Sequence, residues 1–115
     1  MRLGRFELCL PVADLEKSLS FYRTLGFERV GGDDAKGWAI LANGTCRLGL
    51  YRGHIREIVL NFRGEDVFAI SRELAARGLK METGPMVEAD GSAGATILDP
   101  DGHEVYLNTA PGETP

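Results

Sequence analysis

"FELCLPVADLEKSLSFYRTLGF" (residues 6–27) returns as "IVLNFRGEDVFAISRELAARGL" (residues 58–79), without a gap and at a constant offset of 52. In the first copy Phe6, Leu8, Leu10 and Val12 alternate with Glu7, Cys9, Pro11 and Ala13, the period of a strand with one face on a core. Asp14 then stands where a helix N-cap is wanted. Leu15, Leu19, Tyr22 and Leu25 follow at helical spacing, and Gly26 takes the left-handed position that ends a helix. The second copy repeats this grammar: Ile58, Leu60 and Phe62 form the strand face, Asp66 the cap, Val67, Ile70 and Leu74 the helical stripe, and Gly78 the stop. From cap to glycine the distance is 12 residues in both.

Working outward, each helix is followed by short strand-like runs separated by turn residues. "WAILANGTCRLGLY" (38–51) holds an Asn-Gly hairpin turn, and "ATILDPDGHEVYLN" (95–108) holds a Pro-Asp-Gly turn. Each half therefore reads β-α-β-β-β. "VGGDDAKG" (30–37) and "EADGSAG" (88–94) read as polar, glycine-rich loops at corresponding places. The boundaries expected are one domain over 1–115, with module one at 5–53, module two at 57–109, and a frayed tail at 110–115.

A chain of 115 residues buries roughly two-thirds of its unfolded surface in one core. No apolar run approaches the roughly 18 residues of a membrane span. The N-terminal stretch is interrupted by Glu7 and Asp14 and makes a poor signal peptide, so a cytoplasmic location is expected. The net charge of −4 argues against nucleic acid and anionic membrane as partners, because phosphates need clustered Lys and Arg. Cys9 and Cys46 show neither a disulfide framework nor zinc spacing.

The tandem βαβββ pattern, with "VADLEKSLSFYRTLGF" in the first half and "ILDPDGHEVYL" closing the second, resembles the vicinal oxygen chelate superfamily, which contains glyoxalase I, extradiol dioxygenases and the fosfomycin- and bleomycin-resistance proteins. The resemblance covers nearly the whole chain. It implies an α+β fold in which a curled mixed sheet leaves a concave cleft for the ligand. It fixes architecture much better than chemistry. Strand parity then puts Glu7 and Cys9, Arg47, Gly49 and Tyr51, Val59, Asn61 and Arg63, and Glu104, Tyr106 and Asn108 on the cleft side.

Metal-using relatives place a His or Glu on four strands, at positions that fall here on Glu7, Gly49, Val59 and Tyr106. A single carboxylate among four is a poor donor set for a divalent ion. No metal and no cofactor are expected. Glu7 is either a carboxylate for a cationic ligand, a general base, or half of an ion pair with Arg47 or Arg63. Cys9 reads as a quiet thiol rather than a nucleophile. Tyr51, Asn61, Tyr106 and Asn108 either line the cleft or satisfy one another, and Trp38 either stacks on a planar ligand, packs into the core or meets a second subunit. His54 and Glu57, in the charged link "RGHIRE", carry no assigned chemistry. Asp99 to Gly102 read as a β-turn, with His103 at the strand edge.

The expected function is metal-independent binding of a small organic molecule by a homodimer, similar to bleomycin-resistance proteins that sequester a drug. The rivals are a glyoxalase-like lyase or isomerase, or a dioxygenase-related enzyme, that uses Glu7, and a degenerate, non-catalytic interaction domain.

Overall fold

A computed structural model describes residues 1–113. Its elements are β1 (Gly4–Pro11), α1 (Leu15–Thr24), β2 (Glu28–Asp33), β3 (Trp38–Asn43), β4 (Cys46–Tyr51), β5 (Val59–Gly64), α2 (Val67–Ala76), β6 (Thr83–Val87), β7 (Ala93–Leu98) and β8 (Glu104–Thr109). This is the βαβββ order twice over, an α+β chain. The chain forms two compact units, and the division falls inside β1: residues Glu7–Ile58 form one unit, and Met1–Phe6 join the segment from Val59 onward in the other.

In the Glu7–Ile58 unit the strands run in the order β2-β3-β4-β1, with β1 parallel to β4 and the other pairs antiparallel. The α1 helix starts where Asp14 accepts a hydrogen bond from the Lys17 amide at 3.1 Å. It ends where the amides of Gly26 and Phe27 donate to the carbonyls of Arg23 and Tyr22, a geometry that Gly26 permits at φ 96°. Leu15 and Leu19 on its inner face meet Ala39, Leu41, Leu48 and Leu50, with Leu8, Leu10 and Val12 packed alongside. Fully burying side chains of this size contributes about 1.5–3 kcal/mol each.

The second unit repeats the device. Asp66 accepts from the Ala69 amide at 3.0 Å, and Gly78 and Leu79 close α2 on Ala75 and Leu74, each residue 52 positions after its counterpart. Strands run β5-β8-β7-β6, with β5 parallel to β8. Val67 and Ile70 pack on Ala93, Ala95 and Leu107, with Leu3, Phe62 and Val105 around them. The start of β1 belongs here because Phe6 lies against Phe62, their ring centroids 5.3 Å apart.

Several readings of the sequence change; Ala93 and Gly94, expected in a loop, open β7, and Leu25, expected on the helical stripe, follows α1 and is exposed. Val30 to Asp33 are strand rather than loop: Gly32, at φ 118°, allows a bulged β2 to run close to the β3 backbone, where a Cβ would lie 2.5 Å from the Ala39 Cα. Ile58 precedes β5 and is 51% exposed, and Leu60 is only half-buried, so of the expected strand face it is Phe62 that packs on the core. Asn43 closes β3 instead of sitting in the turn, and its amide donates to the Leu25 carbonyl at the end of α1 at 3.3 Å. The tail does not fray at Glu113, whose carboxylate accepts from Arg63 Nε at 3.2 Å; residues 114 and 115 lie outside the described residues.

Candidate functional site

The helix packs on one face of the first unit's sheet, which carries Leu8, Leu10, Leu48 and Leu50. Parity leaves Glu7 and Cys9 of β1, with Arg47, Gly49 and Tyr51 of β4, on the other face, where Cys9 stands opposite Gly49 and Pro11 opposite Tyr51. Glu7 is 7% exposed and Cys9 6%. An acid this deep needs hydrogen bonds. The Tyr51 hydroxyl donates to Glu7 Oε1 at 3.4 Å, and the Cys9 thiol lies 3.7 Å from the same oxygen. Glu7 therefore takes its polar partners from a phenol and a thiol on its own unit, rather than from Arg47 or Arg63 as the ion-pair reading expected.

Gly49 makes this arrangement possible. A Cβ there would lie 2.6 Å from Glu7 Oε1 and 2.6 Å from Tyr51 Cε2, so the missing side chain is the space into which ring and carboxylate fold. On its far side Tyr51 stacks on Trp38, its cross-strand neighbour, with centroids 6.3 Å apart and planes 7° from parallel. His54 meets the same ring edge-on, with centroids 6.1 Å apart. Its ring is fixed by a 2.6 Å contact from Nε2 to the Lys36 carbonyl oxygen. Sequence reasoning assigned no role to His54; nothing in the charge pattern of its loop shows that the loop folds back onto β4. The result is a Trp38-Tyr51-His54 aromatic group over a buried carboxylate, with half-buried Arg47 on the same sheet face.

Burial holds the Tyr51 phenol well above the ordinary tyrosine range, and the neighbouring Cys9 and Glu7 push in the same direction. The sign follows from linkage. Above about pH 10 the unfolded chain ionises this tyrosine while the folded chain keeps its proton, so the stabilisation present below pH 10 is lost as pH rises. The melting temperature is expected to fall between pH 10 and 11, and to fall less steeply in Tyr51→Phe; equal slopes in the two proteins would refute the coupling.

In the second unit Asn61, Arg63, Tyr106 and Asn108 alternate with the core residues Phe62, Val105 and Leu107. Asn108 donates its amide to Asn61 Oδ1, so these two satisfy one another. Tyr106 lies over Gly94 much as Tyr51 lies over Gly49. Its phenol is also held up, by burial first and then by Glu88, Glu104 and Asp90. Arg63 is drawn away to Glu113. Of the predicted ligand residues, Glu7, Trp38, Arg47 and Tyr51 gather in the first unit, and Asn61, Arg63, Tyr106 and Asn108 belong to the second.

Two βαβββ modules that share caps, glycine stops and a Tyr-over-Gly arrangement set the frame for comparison. A family model for the Glyoxalase/Bleomycin resistance protein/Dioxygenase superfamily matches residues 2–107. The chain belongs to this superfamily. Among solved structures, the fold of this glyoxalase-superfamily chain is similar to one described as NAD-dependent benzaldehyde dehydrogenase from Legionella pneumophila, at TM-score 0.73 and 20% identity over 90% of this chain and 97% of that one. It is similar also to a superfamily member from Vibrio splendidus 12B01, at TM-score 0.69 and 16% identity over 92% and 98% of the two chains. A third, a Streptomyces coelicolor methylmalonyl-CoA epimerase variant in complex with 2-nitronate-propionyl-CoA, gives TM-score 0.65 and 22% identity over 98% and 99%. No curated protein gives a significant match.

The positions at which metal-using relatives carry ligands do not fit a divalent ion here. In the first unit Glu7 is a possible donor, but Gly49 has none and the space above it is filled by Tyr51. In the second, Val59 is a buried aliphatic and Tyr106 lies against Gly94. Among the described residues, three metal-ligating side chains converge only in Asp99, Asp101 and His103. That group is explained as a turn: Asp99 accepts from the amides of Asp101 and His103 and pairs with the His103 ring at 2.8 Å. These bonds to His103, first through its backbone, hold the Asp99 carboxyl below its usual range. Among the described residues no helix is long and apolar enough to cross a membrane.

Proposed function

We propose that this protein binds a small organic molecule, aromatic or cationic, without using a metal, on the Trp38-Tyr51-Glu7 face of the first unit. A drug of the bleomycin class or an aromatic amine metabolite has the matching chemistry. The observation that carries the reading is the buried Glu7 carboxylate beneath a phenol already stacked on an indole. Aromatic rings attract flat and cationic groups, and the acid supplies the counter-charge. Sequestration requires no reacting group, so donor-poor ligand positions are no handicap to it.

Trp38 is the only tryptophan, so intrinsic fluorescence reports directly on this face. Saturable quenching by bleomycin or by an aromatic quaternary ammonium is expected, weakened at least tenfold in Glu7→Gln for the cation. The reading fails if none of a panel of such compounds alters the fluorescence or the melting temperature.

The second reading is a lyase or isomerase that uses Glu7 as a general base. What favours it is that Tyr51 and Cys9 both engage Oε1, which leaves the other carboxylate oxygen for proton transfer. Turnover of the thiol adduct of an α-ketoaldehyde, abolished in Glu7→Gln, would select it. The proposal includes a cytoplasmic homodimer. Phe21 and Leu25, one turn apart at the end of α1 and 60% and 56% exposed, support a second copy there. Sedimentation equilibrium measures it.

A further inference from the structure

The second unit holds a cavity of about 470 Å³ between the start of β1, the end of β5 and the tail. Its charged lining is Arg2, Arg5 and Arg63 against Glu65 and Glu113. Three guanidinium groups in one cavity are out of keeping with a chain whose net charge is −4. The floor is backbone: Gly4, at φ 108°, brings β1 so near Arg63 that a Cβ would overlap the Arg63 carbonyl oxygen. That close approach brings Arg5 and Arg63, far apart in sequence, to one opening.

One oxyanion already sits in this cavity. Glu113 Oε1 accepts from Arg63 Nε at 3.2 Å and from the Ala110 amide at 2.5 Å, and its carboxyl is held below its usual range by these bonds and by the charges of Arg63 and Arg5. The carboxylate comes from the chain's own tail, on a short Pro-Gly turn rather than on a strand. It engages a single nitrogen of a guanidinium whose geometry offers a parallel pair of donors. The cavity is also within the size range of small-molecule sites, well beyond what one carboxylate fills.

We propose that this cavity binds the phosphate group of a small organic phosphate, and that Glu113 is an internal competitor which the phosphate displaces. Displacement exchanges one carboxylate for a dianion that accepts from Arg63 through two nitrogens and faces Arg2 and Arg5 across the cavity. With Glu113 out, three positive charges face Glu65 alone. No bond is made or broken in the step.

The site lies in a different unit from Glu7 and stands or falls independently of the ligand proposed there. The test is calorimetric titration of the whole protein at low salt with inorganic pyrophosphate, and with succinate as a carboxylate probe. Wild type is expected to bind pyrophosphate in the millimolar range, Glu113→Gln about tenfold more tightly, and Arg63→Gln at least tenfold more weakly. Arg5→Gln gives a second weakened variant should Arg63→Gln fold poorly. Arg77→Gln, whose arginine pairs with Glu73 on α2, should leave the affinity unchanged. The proposal is overturned if Glu113→Gln binds no more tightly than wild type, if Arg77→Gln weakens binding as much as Arg5→Gln, or if succinate binds as well as pyrophosphate.

Discussion

Gly49→Glu is expected to lower the melting temperature at pH 8 by about 10 °C and to create no metal site. The substitution restores the residue type that metal-using relatives carry at this position. Here its Cβ would begin 2.6 Å from both Glu7 Oε1 and Tyr51 Cε2. Tyr51 has little room to swing aside, since Trp38 and His54 both pack on its ring. The second carboxylate would also stand beside an acid that is 7% exposed, and two neighbouring buried carboxylates do not both ionise without cost. Overpacking and charge burial together are expected to cost on the order of 3 kcal/mol, or about 10 °C for a chain of this length. One carboxyl of the pair has its folded pKa raised, so the folded state holds a proton that the unfolded state releases above about pH 4.3. The deficit is therefore smallest in acid and widens as pH rises. Thermal melts at pH 4.5 and pH 8, each with and without millimolar zinc or nickel, measure this. A divalent ion that restores the wild-type melting temperature would overturn the account of this face as donor-poor.

The same residues show what the sequence could and could not disclose. Helix ends were legible because they are local: an Asp cap and a glycine stop 12 residues apart act within one turn of chain, and the repeat supplied each signal twice. Which face Glu7, Gly49, Asn61 and Tyr106 take was legible because side chains in a strand alternate strictly. Partners were not. For Glu7 the sequence offers an arginine as one partner among other roles, yet in the fold its carboxylate meets Tyr51 and Cys9, because a glycine two residues before Tyr51 on the same strand lets the ring lie down over it. Gly49 read as a missing ligand, when its lack of a Cβ is what the site is built around. Val30 to Asp33 read as loop because glycine favours loops, although Gly32 serves there to let a bulged strand run close to its neighbour. Arg63 and Glu113 are 50 residues apart, and no periodicity links a strand to a tail.

Leu19→Ala is expected to cost about 3 kcal/mol, while Ser71→Ala, at the equivalent position of the second helix, is expected to gain about 1 kcal/mol. Leu19 is 1% exposed among Leu15, Ala39, Leu41, Leu48 and Leu50, so truncation leaves a void in a core that can only partly collapse. Fifty-two residues later the same place on α2 holds Ser71, 6% exposed, whose hydroxyl has no hydrogen-bond partner among the described residues. A buried hydroxyl that has lost water and gained nothing is a cost. Alanine removes it at almost no change in volume and has the better helix propensity. Thermal melts should place Leu19→Ala about 10 °C below wild type and Ser71→Ala about 4 °C above it. A fall in Ser71→Ala would mean that the hydroxyl is bonded in solution, the available acceptor being the Val67 carbonyl one turn earlier in α2. The two helices would then differ in kind, one held by apolar burial and the other by a backbone bond, and the repeat would be one of geometry without being one of energetics.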